Sequence, residues 1–265
     1  MGINYKKYGT WAVVTGASDG IGKAFAVELA KAGFSIVLVA RRRDMLEQLG
    51  RDLSQDFSIE CKTVVADLAH PTGVELLIEQ TRTIDVGLLI AAAGFGTSGA
   101  FVDLAIQEEL AMIDVNCRAV VKLAHHFANR FKLKGRGGIV LMSSIVAFQG
   151  APRSATYAAT KAFIQSFAEG LRIELKPYKV DVLAVAPGPI QSGFAQHANM
   201  QMNMTQTADV VAKVSLAALG KTGTVRPGWL AKLLGYTIST APRWGRVLIM
   251  GAIMAGMTKH QNNKG

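Results

Sequence analysis

Six short, uninterrupted apolar runs alternate with segments of helical periodicity along the chain: Trp11–Thr15, Ser35–Ala40, Cys61–Ala66, Val86–Ala91, Gly138–Met142 and Val180–Val185. The intervening stretches Lys23–Ala32, Asp44–Leu53, Gly73–Arg82, Leu104–Phe131 and Ser154–Leu175 read as helices, and Gly33 stops the first. A strand that is apolar throughout is covered on both faces, and strict alternation with helices implies a parallel sheet. Right-handed crossovers then lead to an α/β, single-domain, doubly wound Rossmann-type sheet of about seven strands. The 265 residues suffice for one large domain, and with half of them apolar and 18% charged the core is sizeable. The sheet domain is expected over 1–220, with a covering segment, or lid, at about 190–207, and an apolar-basic extension over 221–265.

Cys61 and Cys117 are too few and too far apart for a disulfide framework or a metal site, so no metal is expected and two free thiols suit a reducing, cytoplasmic setting. Met1–Tyr8 lacks the apolar centre of a signal peptide. No run approaches the ~20 apolar residues that span a bilayer. The net charge of +10 is unevenly placed. After Asp209 there is no acidic residue, while Lys213, Lys221, Arg226, Lys232, Arg243, Arg246, Lys259 and Lys264 follow. Such a tail suits an anionic partner: a lipid surface contacted peripherally, the phosphates of an acyl-CoA, or another protein. No nucleic-acid-binding motif accompanies the charge, so nucleic acid is not expected.

The first strand meets its helix at Thr15-Gly-Ala-Ser-Asp-Gly-Ile-Gly22. Gly16, Gly20 and Gly22 let backbone approach a pyrophosphate at a helix N-terminus, with Ser18, Asp19 and Ile21 in the same turn. A bare packing turn is the alternative for such glycines in isolation. At the end of the second strand a carboxylate would bind a free ribose 2′-hydroxyl and repel a 2′-phosphate. Here Ala40 is followed by Arg41, Arg42 and Arg43, whose forks match phosphate, which points to NADP(H); a solvated basic helix start is the alternative. Asp67 and Leu68 end the third strand, placed for an adenine edge. Ala93 and Gly94 end the fourth, small enough for backbone to lie against a cofactor.

Tyr157 and Lys161 are four residues apart on a helix and share a face. A phenol of ordinary pKa ~10 beside an ammonium is expected to be lowered, so that it exchanges a proton with a substrate oxygen near neutral pH. Ser144 ends the fifth strand, where its hydroxyl could polarise the same carbonyl, or simply cap a turn. Asn116, inside the long helix, could hold a water that returns the proton, or make a helix-interior hydrogen bond. Pro187 and Gly188 turn the chain after the sixth strand.

These residues resemble the classical short-chain dehydrogenase/reductase family over roughly Gly9 to Ser192 and a further helix at Ala208–Leu219. The glycine spacing, Asp67, Ser144, Tyr157-x-x-x-Lys161 and the Pro187–Gly188 turn occur in the family's order. The resemblance implies a catalytic tetrad of Asn116, Ser144, Tyr157 and Lys161, contact of Ile190 and Ser192 with the nicotinamide, and pairing into a homodimer or homotetramer through the long helices. Thr15–Ala26 and Leu38–Arg41 look closest to the branch of 17-beta-hydroxysteroid dehydrogenases and long-chain 3-oxoacyl-CoA reductases. Two positions depart from the pattern. Ala91-Ala-Ala-Gly94 stands for the usual Asn-Asn-Ala-Gly, and Ser192 for a threonine.

Phe194–Met204 has Met200, Met202 and Met204 and no charge, which suits a cover for an apolar ligand; an ordinary loop is the alternative. Phe95 and Phe148 follow strands four and five on the same rim. The tail 221–265, with Trp229, Tyr236 and Trp244, packs over the pocket, on a second subunit, or at a membrane. The expectation is an NADPH-dependent reductase of a bulky, apolar, 3-oxoacyl or steroid-like ketone. The rivals are an NAD(P)-dependent alcohol dehydrogenase acting on a smaller substrate and a nucleotide-binding regulatory protein.

Overall fold

The computed structural model describes residues 3, 5–191, 193–201, 205–228 and 240–264. Ser192, Met202, Met204, Trp229 and Tyr236 lie outside the described residues.

After a single turn α1 (Tyr5–Tyr8), strands and helices alternate as the apolar runs foretell: β1 (Trp11–Thr15), α2 (Gly20–Lys31), β2 (Ser35–Ala40), α3 (Arg43–Phe57), β3 (Cys61–Val65), α4 (Pro71–Gln80) and β4 (Val86–Ala91). The second half continues with α5 (Ile106–Ile113), α6 (Val120–Lys134), β5 (Gly137–Met142), α7 (Ala155–Leu175) and β6 (Val180–Val185). Then come α8 (Gly193–His197), α9 (Ala208–Ala218), β7 (Thr224–Val225) and α10 (Arg243–Met257). The seven strands lie in the order β3-β2-β1-β4-β5-β6-β7, every neighbouring pair parallel.

Strand β1 shows why the runs are apolar throughout. Val14 joins Phe25, Leu29, Leu46 and Leu216 on one side of the sheet, while Val13 joins Leu77, Leu123, Phe127 and Phe131 on the other. Each such fully buried side chain contributes about 1.5–3 kcal/mol relative to exposure.

The expected helix Leu104–Phe131 is not one uniform α-helix. Between α5 and α6, residues Asp114–Ala119 widen into a π-helical turn. Single π turns inside helices re-aim side chains and gather at functional sites. Here the widened turn holds Asn116, only 1% exposed.

Candidate active site

The carboxyl ends of β1 through β6 face one cleft of about 1040 Å³, at the crevice where the strand order reverses between β1 and β4. Its walls hold Gly16, Ser18, Asp19, Gly20, Ile21, Gly22, Arg41, Arg42, Asp67, Leu68, Ala93 and Gly94 from the expected cofactor set. They also hold Ser144, Tyr157, Lys161, Pro187, Gly188 and Ile190.

The glycine turn is built by close approach. Gly16 has φ +69°, and a Cβ there would lie 2.9 Å from the Ala93 backbone. A Cβ on Gly22 would fall 2.2 Å from the Gly16 carbonyl oxygen. The Asp19 carboxylate caps α2, accepting from the Gly20 N–H at 2.7 Å, and its other oxygen accepts from the Gly193 N–H at 3.3 Å. Arg42 donates from Nε and Nη2 to the Ser18 hydroxyl at 3.3 and 3.1 Å. The Arg41 guanidinium is 69% exposed and 3.8 Å from the Asp67 carboxylate, a surface pair of small worth that leaves the fork available to a ligand phosphate. The end of β2 itself carries Ala40 in place of a carboxylate, and the nearest acidic groups, Asp67 and Asp19, each lie 3.8 Å from an arginine that offsets them. The donor set therefore fits a phosphorylated dinucleotide.

The amides absent from Ala91-Ala-Ala-Gly94 are replaced from outside. The Ala93 N–H donates to the Thr15 hydroxyl at 3.0 Å. The Phe95 N–H donates to Asn116 Oδ1 at 3.2 Å, and Asn116 Nδ2 donates back to the Phe95 carbonyl at 2.9 Å and to Thr160 Oγ1 at 3.1 Å. Both amide hydrogens of Asn116 are thus committed to protein. Of the two alternatives for its side chain, the geometry favours the internal bond. Thr160, which sequence reasoning missed, ties this clamp to α7 and donates to the Tyr157 carbonyl at 2.8 Å.

Helix α7 presents Tyr157 and Lys161 to the cleft together, but their electrostatics differ from the expectation. Lys161 Nζ donates to the Met142 carbonyl at 2.8 Å and lies 5.6 Å from the centre of the Tyr157 ring. Burial pushes the Tyr157 phenol up to about 12, against which the hydrogen bond from Ser144 pulls downward. Burial brings Lys161 down to about 8, opposed by the nearby Cys117 sulfur. The phenol is therefore protonated at neutral pH, a proton donor already held by Ser144.

At the far end of the cleft, Phe95, Phe194 and Met200 line the wall as expected, and the Tyr157 and Phe194 ring centres are 5.3 Å apart. Phe148 is corrected: it lies off the lining, its ring beneath the Arg226 guanidinium at 4.4 Å. Of the alternatives for the tail, α10 takes the one over the pocket, through residues not singled out in the sequence: Met250, Ile253, Met254 and Met257. Met250 and Met254 pack with Ala151, Ala158, Ala198 and Met200. The signal was present as methionines at i, i+4 and i+7 in an uncharged run, the spacing of one helix face. Gln107, Leu110 and His197 complete the rim. Among the described residues no helix is long and apolar enough to cross a membrane.

A family model described as short chain dehydrogenase matches residues 10–203. The chain is 37% identical over 189 residues to a 7beta-hydroxysteroid dehydrogenase of Clostridium sardiniense, covering 70% of this chain and 72% of that one. It is 34% identical over 230 residues to a very-long-chain 3-oxoacyl-CoA reductase of Podospora anserina, covering 84% of this chain and 66% of that one. Among solved structures, a short-chain dehydrogenase from Sphingobium yanoikuyae in complex with NADPH is similar with a TM-score of 0.78 at 28% identity, covering 87% and 93% of the two chains. Hydroxysteroid dehydrogenases and 3-oxoacyl-CoA reductases are thus both similar to this chain, the branch to which its glycine turn and Leu38–Arg41 pointed.

Proposed function

Since the chain belongs to the short-chain dehydrogenase family, we propose that it is an NADPH-dependent reductase of a bulky, apolar ketone, with Tyr157 as general acid. The single observation that carries this reading is the convergence of Ser144, Tyr157 and Lys161 on one cleft, where the wall of the glycine turn meets a methionine-lined one.

The residues present would hold the cofactor as follows. The turn Gly16–Gly22 at the α2 N-terminus takes the pyrophosphate, and Arg41 and Arg42 the 2′-phosphate. Asp67 and Leu68 flank the adenine, and Ala93 and Gly94 give close backbone approach. Lys161 reaches the nicotinamide ribose, and Pro187, Gly188 and Ile190 border the nicotinamide. When bound, NADPH supplies the hydride. The rest of the work belongs to the chain's own side chains. The Ser144 and Tyr157 hydroxyls hold the carbonyl oxygen and polarise it, and Tyr157 passes its proton to that oxygen as charge develops. Lys161, drawn toward neutrality by burial and poised near pH 8, restores the phenol proton. Asn116 keeps Phe95 and Thr160 in register around the site.

The substrate wall also favours one of the two expected classes. Among the described lining residues beyond the cofactor end there is no lysine or arginine except Lys161, and Asp114 is present. A neutral, steroid-like ketone suits these walls better than a phosphate-bearing thioester. Pairing of two chains is supported by the outward sides of α5 and α7, where Ile113, Phe163 and Ile173 are exposed. The outward side of α10, with Trp244 and Leu248 exposed and no acidic residue after Asp209, suits an anionic lipid surface; failure to sediment with anionic vesicles would remove that contact.

The test of the activity is Tyr157→Phe, assayed with NADPH and apolar ketones. Loss of a general acid should lower kcat by about 10²–10⁴-fold with NADPH binding retained. Ketone reduction at near wild-type rate would sink the assignment.

A further inference from the structure

The far end of the lid is tied down by a 3-10 helical segment, Lys259–Lys264, that follows α10. Helix α8 begins with the Gly193 N–H on Asp19 and ends in a bend at Asn199, whose φ is +50°. Three separate segments converge on that bend. Ser98, from the loop after β4, donates its hydroxyl to the Ala198 carbonyl at 2.6 Å. The Gln201 N–H donates to the Met257 carbonyl, the C-terminal end of α10, at 2.9 Å. Gln261 lies at the centre: its Nε2 donates to Ser98 Oγ and to the Asn199 carbonyl, each at 2.8 Å, with the Ser98 carbonyl a third acceptor at 3.4 Å. Its Oε1 accepts from Arg153 Nη2 at 3.0 Å. Arg153 itself is held in left-handed backbone, φ +65°, and its carbonyl accepts from the Gly99 N–H at 2.9 Å, so the loop ahead of the catalytic helix joins the same knot.

An amide is the side chain that can do this. It must give two hydrogens to oxygen acceptors on one side and take one from a guanidinium on the other. It closes the substrate end of the cleft, since the segment it fastens carries Phe194 and Met200 and the element it extends carries Met250, Met254 and Met257. At the opposite end of the lid the Gly193 N–H meets the Asp19 carboxylate of the cofactor turn.

From this we infer that Gln261 is a positioning residue: it latches the lid to the C-terminal segment, and substrate enters or product leaves when the latch lets go. The inference rests on the reading of the cleft as a ketone-reducing site, but its first readout needs no turnover. In the full-length protein, backbone hydrogen exchange over 194–201 is compared for wild type, Gln261→Ala and Gln261→Glu without ligand. Glutamate keeps the oxygen that accepts from Arg153 and lacks the donors to Ser98 and Asn199, so it separates latching from simple filling. Both variants should exchange about tenfold faster across the lid, the factor carried by one to two net hydrogen bonds. Trp244→Ala, on the outward side of α10, should leave that exchange unchanged. In steady-state assays KM for the ketone should rise about tenfold while KM for NADPH stays level. Unchanged lid exchange in both variants overturns the latch whatever the activity. Faster exchange with an unmoved ketone KM, or with both KM values raised together, overturns the positioning role. A failed Tyr157→Phe test would instead strike the reductase reading and leave the exchange result standing.

Discussion

Replacing Asn116 by alanine distinguishes a structural clamp from a water holder. The side chain is 1% exposed and makes three hydrogen bonds: one accepted from the Phe95 N–H, one given to the Phe95 carbonyl and one given to Thr160. At about 0.5–1.5 kcal/mol net for each, their loss should cost about 2–4 kcal/mol of stability. Aspartate in its place is isosteric and more informative. It keeps the acceptor for the Phe95 N–H but sets an oxygen against the Phe95 carbonyl, now 2.9 Å from the amide nitrogen. It also faces the Thr160 hydroxyl, whose hydrogen already goes to the Tyr157 carbonyl. Asn116→Asp should therefore destabilise at least as much as Asn116→Ala. Urea unfolding monitored by circular dichroism reads this as a lowered midpoint at unchanged slope. Because Phe95 and the first turn of α7 line the cleft proposed for the ketone, kcat should fall by about 10²-fold in the same variants, the usual result of small misplacement. A side chain that only held a water would change the rate and spare the fold. Asn116→Ala unfolding within about 0.5 kcal/mol of wild type, the range of an ordinary surface change, would refute the clamp.

Arg41→Ala should weaken NADPH about tenfold or more, the worth of a charge-assisted hydrogen bond, and leave NADH nearly unaffected; equal NADPH affinity in titration would remove Arg41 from the cofactor site. Lys161 gives a signature in pH. Its folded pKa is lowered to about 8 from 10.5, so between those values the unfolded chain holds a proton that the folded one has released, and this group's contribution makes stability rise with pH. Above pH 10 the raised pKa of Tyr157 acts in the opposite sense, because the folded phenol keeps a proton the unfolded one loses. Comparing wild type with Lys161→Met in thermal melts from pH 8 to 10 should show the rise only in wild type. Parallel slopes in the two proteins would contradict it.

The parts that local pattern determines were legible in the chain. Uninterrupted apolar runs such as Ser35–Ala40 can be satisfied only by a sheet covered on both sides, and Tyr157 with Lys161 must share a helix face wherever the helix lies. The parts that depend on what arrives from afar were not. Two residues, Thr224 and Val225, form a strand only because β6 is there to pair with them. Met250, Met254 and Met257 carry a helix face in their spacing, yet nothing local says that this face closes a cleft bordered by Tyr157, roughly a hundred positions earlier in the chain. Phe148 follows a strand end just as Phe95 does, but Arg226 claims its ring. The phenol's direction of shift was misjudged because burial, which spacing does not show, outweighs everything else; i and i+4 spacing brings Lys161 near, but its ammonium is given to the Met142 carbonyl.

The Asp19 carboxylate touches both halves of the cleft, capping the helix behind the glycine turn with one oxygen and holding the first peptide of the lid with the other. Asp19 is therefore placed to couple occupancy of one half to the other. Thermodynamic reciprocity fixes the form of that coupling: whatever factor the nucleotide applies to the affinity for ketone, the ketone must apply to the affinity for nucleotide. Asp19→Asn, which keeps an acceptor for one peptide but forfeits the charge, should shrink both factors together, making the two ligands bind as strangers.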